Sequence, residues 1–328
     1  MSEYKNIMEY LPQIEKLRNE GLTRGTKTGF DCLDKLYSIK LGSYTTLLAE
    51  PGHGKSEFII EMAMNQAIKF GYVSLICSPE TGTLEQIVAE LIHKYTGMSM
   101  LKSDYNPIPD NKFYLALEWI NQYFVIPEDV NSYSIQQLFE FAYGWEKENN
   151  RKIQIIVGEP YNELTHDMSS FGSRQDLYIE WLYSYFRREC RKSNKHFFLS
   201  IHPSSQMPVM EKGFTYYPKP LPRQAAGGQA AFRKAMTWIT LWRPPVGMCD
   251  SSGWAYKDNE VHVYIDKAKP KGVSFKGMCK LFFDWKKNRY YEDINGNDNY
   301  AFDHEENSKE TNLIMPLSTQ FDDEEPPF

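Results

Sequence analysis

Long apolar runs are missing from this chain. No segment approaches the ~20 consecutive apolar residues of a membrane-spanning helix, so no membrane association is expected. The opening Met1-Ser2-Glu3-Tyr4-Lys5-Asn6 lacks the apolar region of an export signal. Cysteine is scarce: five residues in 328, at positions 32, 77, 190, 249 and 279, in no metal-ligand spacing. That excludes a disulfide-stapled scaffold and a zinc finger, and points to reduced thiols in a cytoplasmic setting. No internal repeat is present. A strong charge of one sign is also missing, since the net charge is only −6. Its distribution is uneven. Residues 292–328 carry eleven acidic side chains against one lysine, so a tail charge of about −10 leaves roughly +4 on residues 1–291. The body is mildly basic, which is compatible with ordinary surface charge or with a nucleic-acid partner, and the tail is acidic.

Apolar content is ample at 41% of residues, enough for a large core. The most informative stretch is Ala49-Glu50-Pro51-Gly52-His53-Gly54-Lys55-Ser56. An apolar β-rich run precedes it, and apolar residues at helical spacing follow it over 57–70. Strand, glycine loop and helix together read as a P-loop that binds a nucleoside triphosphate. The loop from Pro51 to Ser56 turns its backbone N–H groups, with the helix N-terminus, toward the phosphates. Lys55 reaches the β- and γ-phosphates of ATP, and Ser56 ligates Mg2+. Ala49 stands where such loops usually begin with glycine.

Strands are expected at 72–78, 153–157, 196–201, 238–242, 261–266 and 278–284, and helices at 84–95, 111–123, 135–148 and 176–194. Residues 4–20 read as a short helix broken near Pro12, and residues 203–228 as a long loop. Alternating strands and helices imply an α/β fold: a mostly parallel twisted sheet flanked by helices, with antiparallel C-terminal strands. The division is an N-terminal helix and linker over 1–24, an ATPase domain over 25–291, and a disordered acidic tail over 292–328.

Four further groups carry chemistry. Glu80, in Ser78-Pro79-Glu80, follows a strand at the sheet edge where ligands bind, and could deprotonate an attacking water; it could equally belong to an ordinary turn before a helix. Glu159 ends the 153–157 strand and could hold Mg2+ through water, or be a surface acid. His202 ends the next strand and could sense the γ-phosphate, or be a satisfied strand-end histidine. Lys267 and Lys269 sit in a basic hairpin that is either a solvated face or a finger reaching a neighbour's γ-phosphate.

These pieces resemble, in order, the RecA-type motor domain of hexameric replicative helicases of the DnaB and Twinkle type, phage versions included. The resembling residues are Thr28-Gly29-Phe30-Asp31-Cys32-Leu33-Asp34, the P-loop, Ser78-Pro79-Glu80, Glu159 to Leu164, His202-Pro203, Gly227 to Ala235, and Lys267-Ala268-Lys269. The resemblance implies a RecA-like P-loop NTPase. It implies an ATP-dependent DNA helicase that assembles as a homo-hexamer and translocates on single-stranded DNA. Glu80 then matches the catalytic glutamate, His202 the γ-phosphate sensor, and Glu159 an acid that is normally aspartate. Lys267 and Lys269 match the pair that crosses the subunit interface, where the second is normally arginine. Loops facing a central channel hold DNA, with Lys212, Lys219, Arg223, Arg233 and Lys234 as the phosphate contacts. The C-terminal peptide Gln320 to Phe328 resembles acidic tails that dock a terminal phenylalanine on replication proteins. A RecA-like recombination ATPase and an ATP-binding scaffold or helicase loader with slow or no turnover are the competing readings.

Overall fold

The computed structural model describes residues 6–129, 133–204, 206–270 and 272–302. Helix α1 (Leu11–Glu20) begins with Pro12 in its first turn. Pro12 therefore starts this helix instead of breaking it, because a missing N–H costs nothing at a helix N-terminus. The short α2 (Asp31–Asp34) leads into β1 (Ser43–Leu48), α3 (Lys55–Phe70), β2 (Ser74–Cys77), α4 (Leu84–Thr96) and α5 (Asp110–Tyr123). After these come β3 (Phe124–Val125), α6 (Ile135–Asn149), β4 (Ile155–Gly158), α7 (Gln175–Ser193) and β5 (His196–Ile201). Next are a small hairpin, β6 (Val209–Glu211) and β7 (Phe214–Tyr216), and α8 (Gly228–Lys234). The last strands are β8 (Thr237–Trp242), β9 (Glu260–Lys267), β10 (Gly277–Asp284), β11 (Arg289–Ile294) and β12 (Asn297–Tyr300).

One ten-stranded sheet runs β12-β11-β10-β9-β8-β1-β5-β4-β2-β3. The six strands from β8 to β3 pair in parallel, and β9 to β12 add an antiparallel extension. Strand residues alternate between two cores. Leu47, Phe198 and Ile239 face α3 and α4. Tyr44, Phe197 and Trp238 face α6 and α7. Each fully buried side chain of this size contributes about 1.5–3 kcal/mol. The central strands are buried on both faces, which is why they read as near-continuous apolar runs.

Two expectations are corrected. The domain does not end at 291: β11 and β12 extend the sheet to Tyr300. Ala301 is buried, and the Phe302 ring lies 3.5 Å from the Arg289 guanidinium. The acidic residues after 291 are interspersed with Ile294 and Tyr300, and pairing at the sheet edge outweighs their low hydrophobicity. Residues 203–228 are not a plain loop, because they contain the β6–β7 hairpin and the start of α8. The peptide ending in Phe328 lies outside the described residues. Among those residues no helix is long and apolar enough to cross a membrane.

His196 gives a testable feature of the interior. It is 1% exposed, its Nδ1 lies 2.8 Å from the Lys40 carbonyl, and its Nε2 lies 3.0 Å from Thr45 Oγ1. A neutral ring satisfies both contacts, donating from Nδ1 and accepting at Nε2. Burial pushes its pKa from 6.5 down to about 4. The unfolded ring takes its proton first as pH falls, so the stabilisation is complete above about 6.5 and is lost as pH falls toward 4. Denaturant unfolding of wild type and His196→Asn across this window should show wild type losing about 3 kcal/mol that the variant does not.

Candidate nucleotide site

The four strands β1, β5, β4 and β2 lie side by side and end at the same sheet edge. The P-loop follows β1, His202 follows β5, Glu159 follows β4 and Glu80 follows β2. Parallel pairing thus converges residues far apart in sequence. A cavity of about 240 Å³ is lined by Gly52, His53, Gly54, Lys55, Ser56 and Glu80 among others. Pro51 is exposed at the loop's outer side.

Two loop glycines are needed for their backbone angles. Gly52 has φ 75° and Gly54 φ 82°, both in the left-handed region. Gly54 is also crowded: a Cβ there would lie 2.5 Å from the Tyr290 hydroxyl, which donates to the Gly54 carbonyl at 3.1 Å. Tyr290 is 1% exposed and packs edge-on against Phe58. The start of α3 is therefore pinned to β11.

Charge in the site is prepared for an anion. Lys55 is 4% exposed and takes part in no ion pair within 4 Å among the described residues. Burial lowers its pKa, while Glu80, Glu159 and Glu50 oppose the shift. A buried cation without a contact partner suits a polyphosphate. Burial, followed by Arg243 and Lys55, pushes His53 down to about 4, so the ring is neutral at neutral pH. Its Nδ1 accepts from the Arg243 backbone N–H at 3.3 Å, which leaves the proton on Nε2.

Glu80 and His202 meet as expected of neighbouring strand ends: His202 Nε2 is 3.4 Å from Glu80 Oε2. The Glu80 side chain is 47% exposed, so it can meet water. Burial, then Lys55, holds the His202 pKa below its usual value, while Glu80 opposes this. Glu159 is fully buried. Its Oε1 accepts from Ser78 Oγ at 3.1 Å, and its Oε2 is buried without a partner. Burial pushes its pKa up to about 7, against the pull of Ser78 and Lys55. A buried carboxylate with one idle oxygen, beside the Ser56 hydroxyl and Lys55, fits a hydrated divalent cation that also binds phosphate.

Lys267 and Lys269 are not in this cavity. Lys267 pairs in register with Trp238 at the start of β8, whereas the P-loop contact Arg243 follows that strand's far end. Lys267 Nζ donates to the carbonyls of Phe232 and Arg233, capping α8, whereas Lys269 is exposed. The five basic residues expected to contact DNA divide as well. Lys212, on the β6–β7 turn, Arg223 and Arg233 are exposed. Lys219 is 2.6 Å from Asp266, and Lys234 is 3.7 Å from Glu180.

Sequence reasoning missed the wall supplied by the antiparallel extension: Arg243, Val261, Phe283, Trp285 and Tyr290. The Arg243 guanidinium lies 5.4 Å from the Trp285 ring, and Trp285 is 59% exposed at the cavity rim. Arg243 directly follows β8, so the strand-end logic that found Glu80 and His202 could have found it. Trp285 lies in a turn between antiparallel strands and carries no such signal.

A solved structure of an isolated helicase ATPase domain superposes with a TM-score of 0.68, covering 88% of this chain and 99% of that one at 16% identity. The fold is that of a RecA-type helicase motor domain. A DnaB-like replicative helicase, described with its interactions with primase, gives TM-score 0.68 at 18% identity, covering 87% of this chain and 68% of that one. By sequence, the chain is 26% identical over 201 residues to the Twinkle homolog protein, chloroplastic/mitochondrial, of Arabidopsis thaliana. The match takes in 57% of this chain and 26% of that protein, so the chain spans about a quarter of the length of this curated relative. No family model matches.

The Gly54–Tyr290 contact can be tested without ligand. Gly54→Ala should destabilise by about 1–3 kcal/mol through the left-handed φ and the clash. Gly54→Ala combined with Tyr290→Phe should cost less than the sum of the two single changes, because the phenylalanine removes the clashing oxygen. Additive losses in denaturant unfolding would show that the contact is not felt.

Proposed function

We propose that this chain is the motor of an ATP-dependent replicative DNA helicase, hydrolysing ATP at subunit interfaces of a ring that moves on single-stranded DNA. The observation that carries the reading is the Glu80–His202 contact beside the unpaired Lys55. A scaffold that only binds ATP has no use for a base and a γ-phosphate sensor in contact. Lys55 neutralises the β- and γ-phosphates, and the loop N–H groups and α3 N-terminus hold them in place. Glu80 takes a proton from the attacking water, the water oxygen bonds to the γ-phosphorus, and the bond to ADP breaks. His202 reports the loss of the γ-phosphate to the 203–234 segment that follows it. Ser56 and Glu159 would hold Mg2+, directly and through water, and the ion would supply charge neutralisation at the phosphates. Trp285, under Arg243, offers a face for the base.

Lys269 supports the ring. It is exposed at the sheet edge opposite its own P-loop, so it can serve only a neighbour's site. Lys212, Arg223 and Arg233 are the exposed candidates for DNA phosphates, and DNA contact should be salt-sensitive. Such a ring belongs in a bacterial or phage-infected cytoplasm, where a primase and a protein docking the Phe328 tail are partners to seek.

Wild type should hydrolyse ATP faster with single-stranded DNA and unwind a forked duplex, and Lys55→Ala should do neither. Lys269→Ala should lower hydrolysis by about 10³-fold or more while leaving ATP binding intact, and should poison mixed rings with wild type. DNA-independent hydrolysis by assembled wild-type protein would sink the motor reading, and electron microscopy showing filaments would favour the recombination ATPase.

A further inference from the structure

Glu57 stands between the two ends of the nucleotide cavity. It follows Ser56 by one residue on α3 and lines the cavity with Trp285 and Tyr290. A P-loop holds the β- and γ-phosphates against its lysine and its amides, so the remainder of the nucleotide leaves along the first turn of the helix. With Glu80 and His202 at the γ end and Trp285 at the open end, Glu57 is level with the sugar.

A carboxylate beside a polyphosphate is electrostatically unfavourable, yet this one is held in place with care. Its Oε2 is buried and 2.5 Å from Nζ of Lys94, a lysine with no exposure. Lys94 is fixed in turn by the Asn288 carbonyl at 2.9 Å and by Glu61 at 3.8 Å. The Glu57 side chain remains 32% exposed, and with Oε2 buried that exposure leaves the other oxygen free on the cavity side. One oxygen is thus neutralised and locked, and the second is a fixed acceptor at sugar height.

We propose that Glu57 reads the sugar: its free oxygen accepts a hydrogen bond from the ribose 2′-hydroxyl, so the site prefers ribonucleoside over 2′-deoxyribonucleoside triphosphates. The inference deepens the nucleotide-site reading and rests on it. Lys94 is a positioning residue that fixes the Glu57 carboxylate and keeps its charge from repelling the phosphates.

The test is equilibrium binding of ATP and 2′-deoxy-ATP, followed by tryptophan fluorescence, to full-length wild type, Glu57→Gln, Glu57→Ala and Lys55→Ala. Wild type should bind ATP about tenfold or more tighter than 2′-deoxy-ATP, the worth of one hydrogen bond to a charged group. Glu57→Ala should lose about tenfold for ATP and about twofold or less for 2′-deoxy-ATP, bringing the ratio near one. Glu57→Gln keeps an acceptor oxygen and should retain part of the preference. Equal wild-type affinities, or equal losses for both nucleotides in Glu57→Ala and Glu57→Gln, would overturn the proposal, the second being what a merely structural ion pair gives. Failure of wild type to bind either nucleotide would instead overturn the nucleotide-site reading, for which Lys55→Ala is the control.

Discussion

Two cations with no exposure, Lys94 and Arg289, hold the site's three supporting elements together. Arg289 on β11 pairs with Glu61 of α3 at 2.8 Å, and Lys94 of α4 lies between Glu57 and Glu61 of the same helix. Desolvating such charges costs several kcal/mol each, which their pairing must offset. An apolar substitute of similar volume could fill the space as stably. It could not fix the relative positions so narrowly, because losing any single partner strands a buried charge at about 3–5 kcal/mol. The consequence is geometric: α3 carries Ser56, α4 follows the Glu80 loop, and β11 carries Tyr290. These cannot shift independently. Asn288 extends the cluster by donating to Glu90 at 2.6 Å. The Glu90 carboxyl is pushed up by burial and then by Glu57, as expected where acids outnumber cations.

What the chain made legible was whatever depends on local pattern plus the parallel-sheet rule. The P-loop, Glu80, Glu159 and His202 each sit at a strand end, and strand ends are visible as apolar runs stopping at polar residues. The rule that ligands bind at the carboxyl edge then joins them without any knowledge of strand order. The second wall was illegible for the complementary reason. Arg243, Phe283, Trp285 and Tyr290 come from an antiparallel extension whose position depends on how β8 to β11 pair, and pairing is a long-range property. The buried cluster was hidden too. Lys94, Glu57 and Arg289 read as ordinary charges on helix and strand surfaces, and only the packing of α3, α4 and β11 removes them from water.

The basic hairpin shows how a shared motif can divide its labour. Lys267 and Lys269 are two residues apart, so on a strand both would face the same side. The structure separates them by partner: Lys267 turns inward to the last carbonyls of α8, and Lys269 stays exposed. A cation at a helix C-terminus is favourable, and here it fastens α8 to β9. Since α8 ends the segment that begins after His202, a change in that segment is transmitted mechanically to the hairpin carrying Lys269. In a ring, the segment that touches DNA and the residue that reaches the neighbour's nucleotide are then parts of one lever.

Glu159 stands where the motors this chain resembles carry aspartate, and its extra methylene has to be accommodated. Gly158 precedes it, and a Cβ there would lie 2.8 Å from the Phe197 ring, so β4 approaches β5 closely at this point. The Glu159 backbone follows that close approach and donates to the Cys77 carbonyl at 3.0 Å. Its longer side chain folds back under Ser78, whose hydroxyl lies 3.1 Å from Glu159 Oε1 and 2.6 Å from Thr81 Oγ1. Thr81 is the residue after Glu80. The added length is therefore absorbed by a hydrogen-bonded chain running from the acid at the end of β4 into the loop that presents the catalytic base. An aspartate would not reach Ser78 from the same backbone without giving up that link, so in this chain glutamate is the residue that joins the two halves of the site.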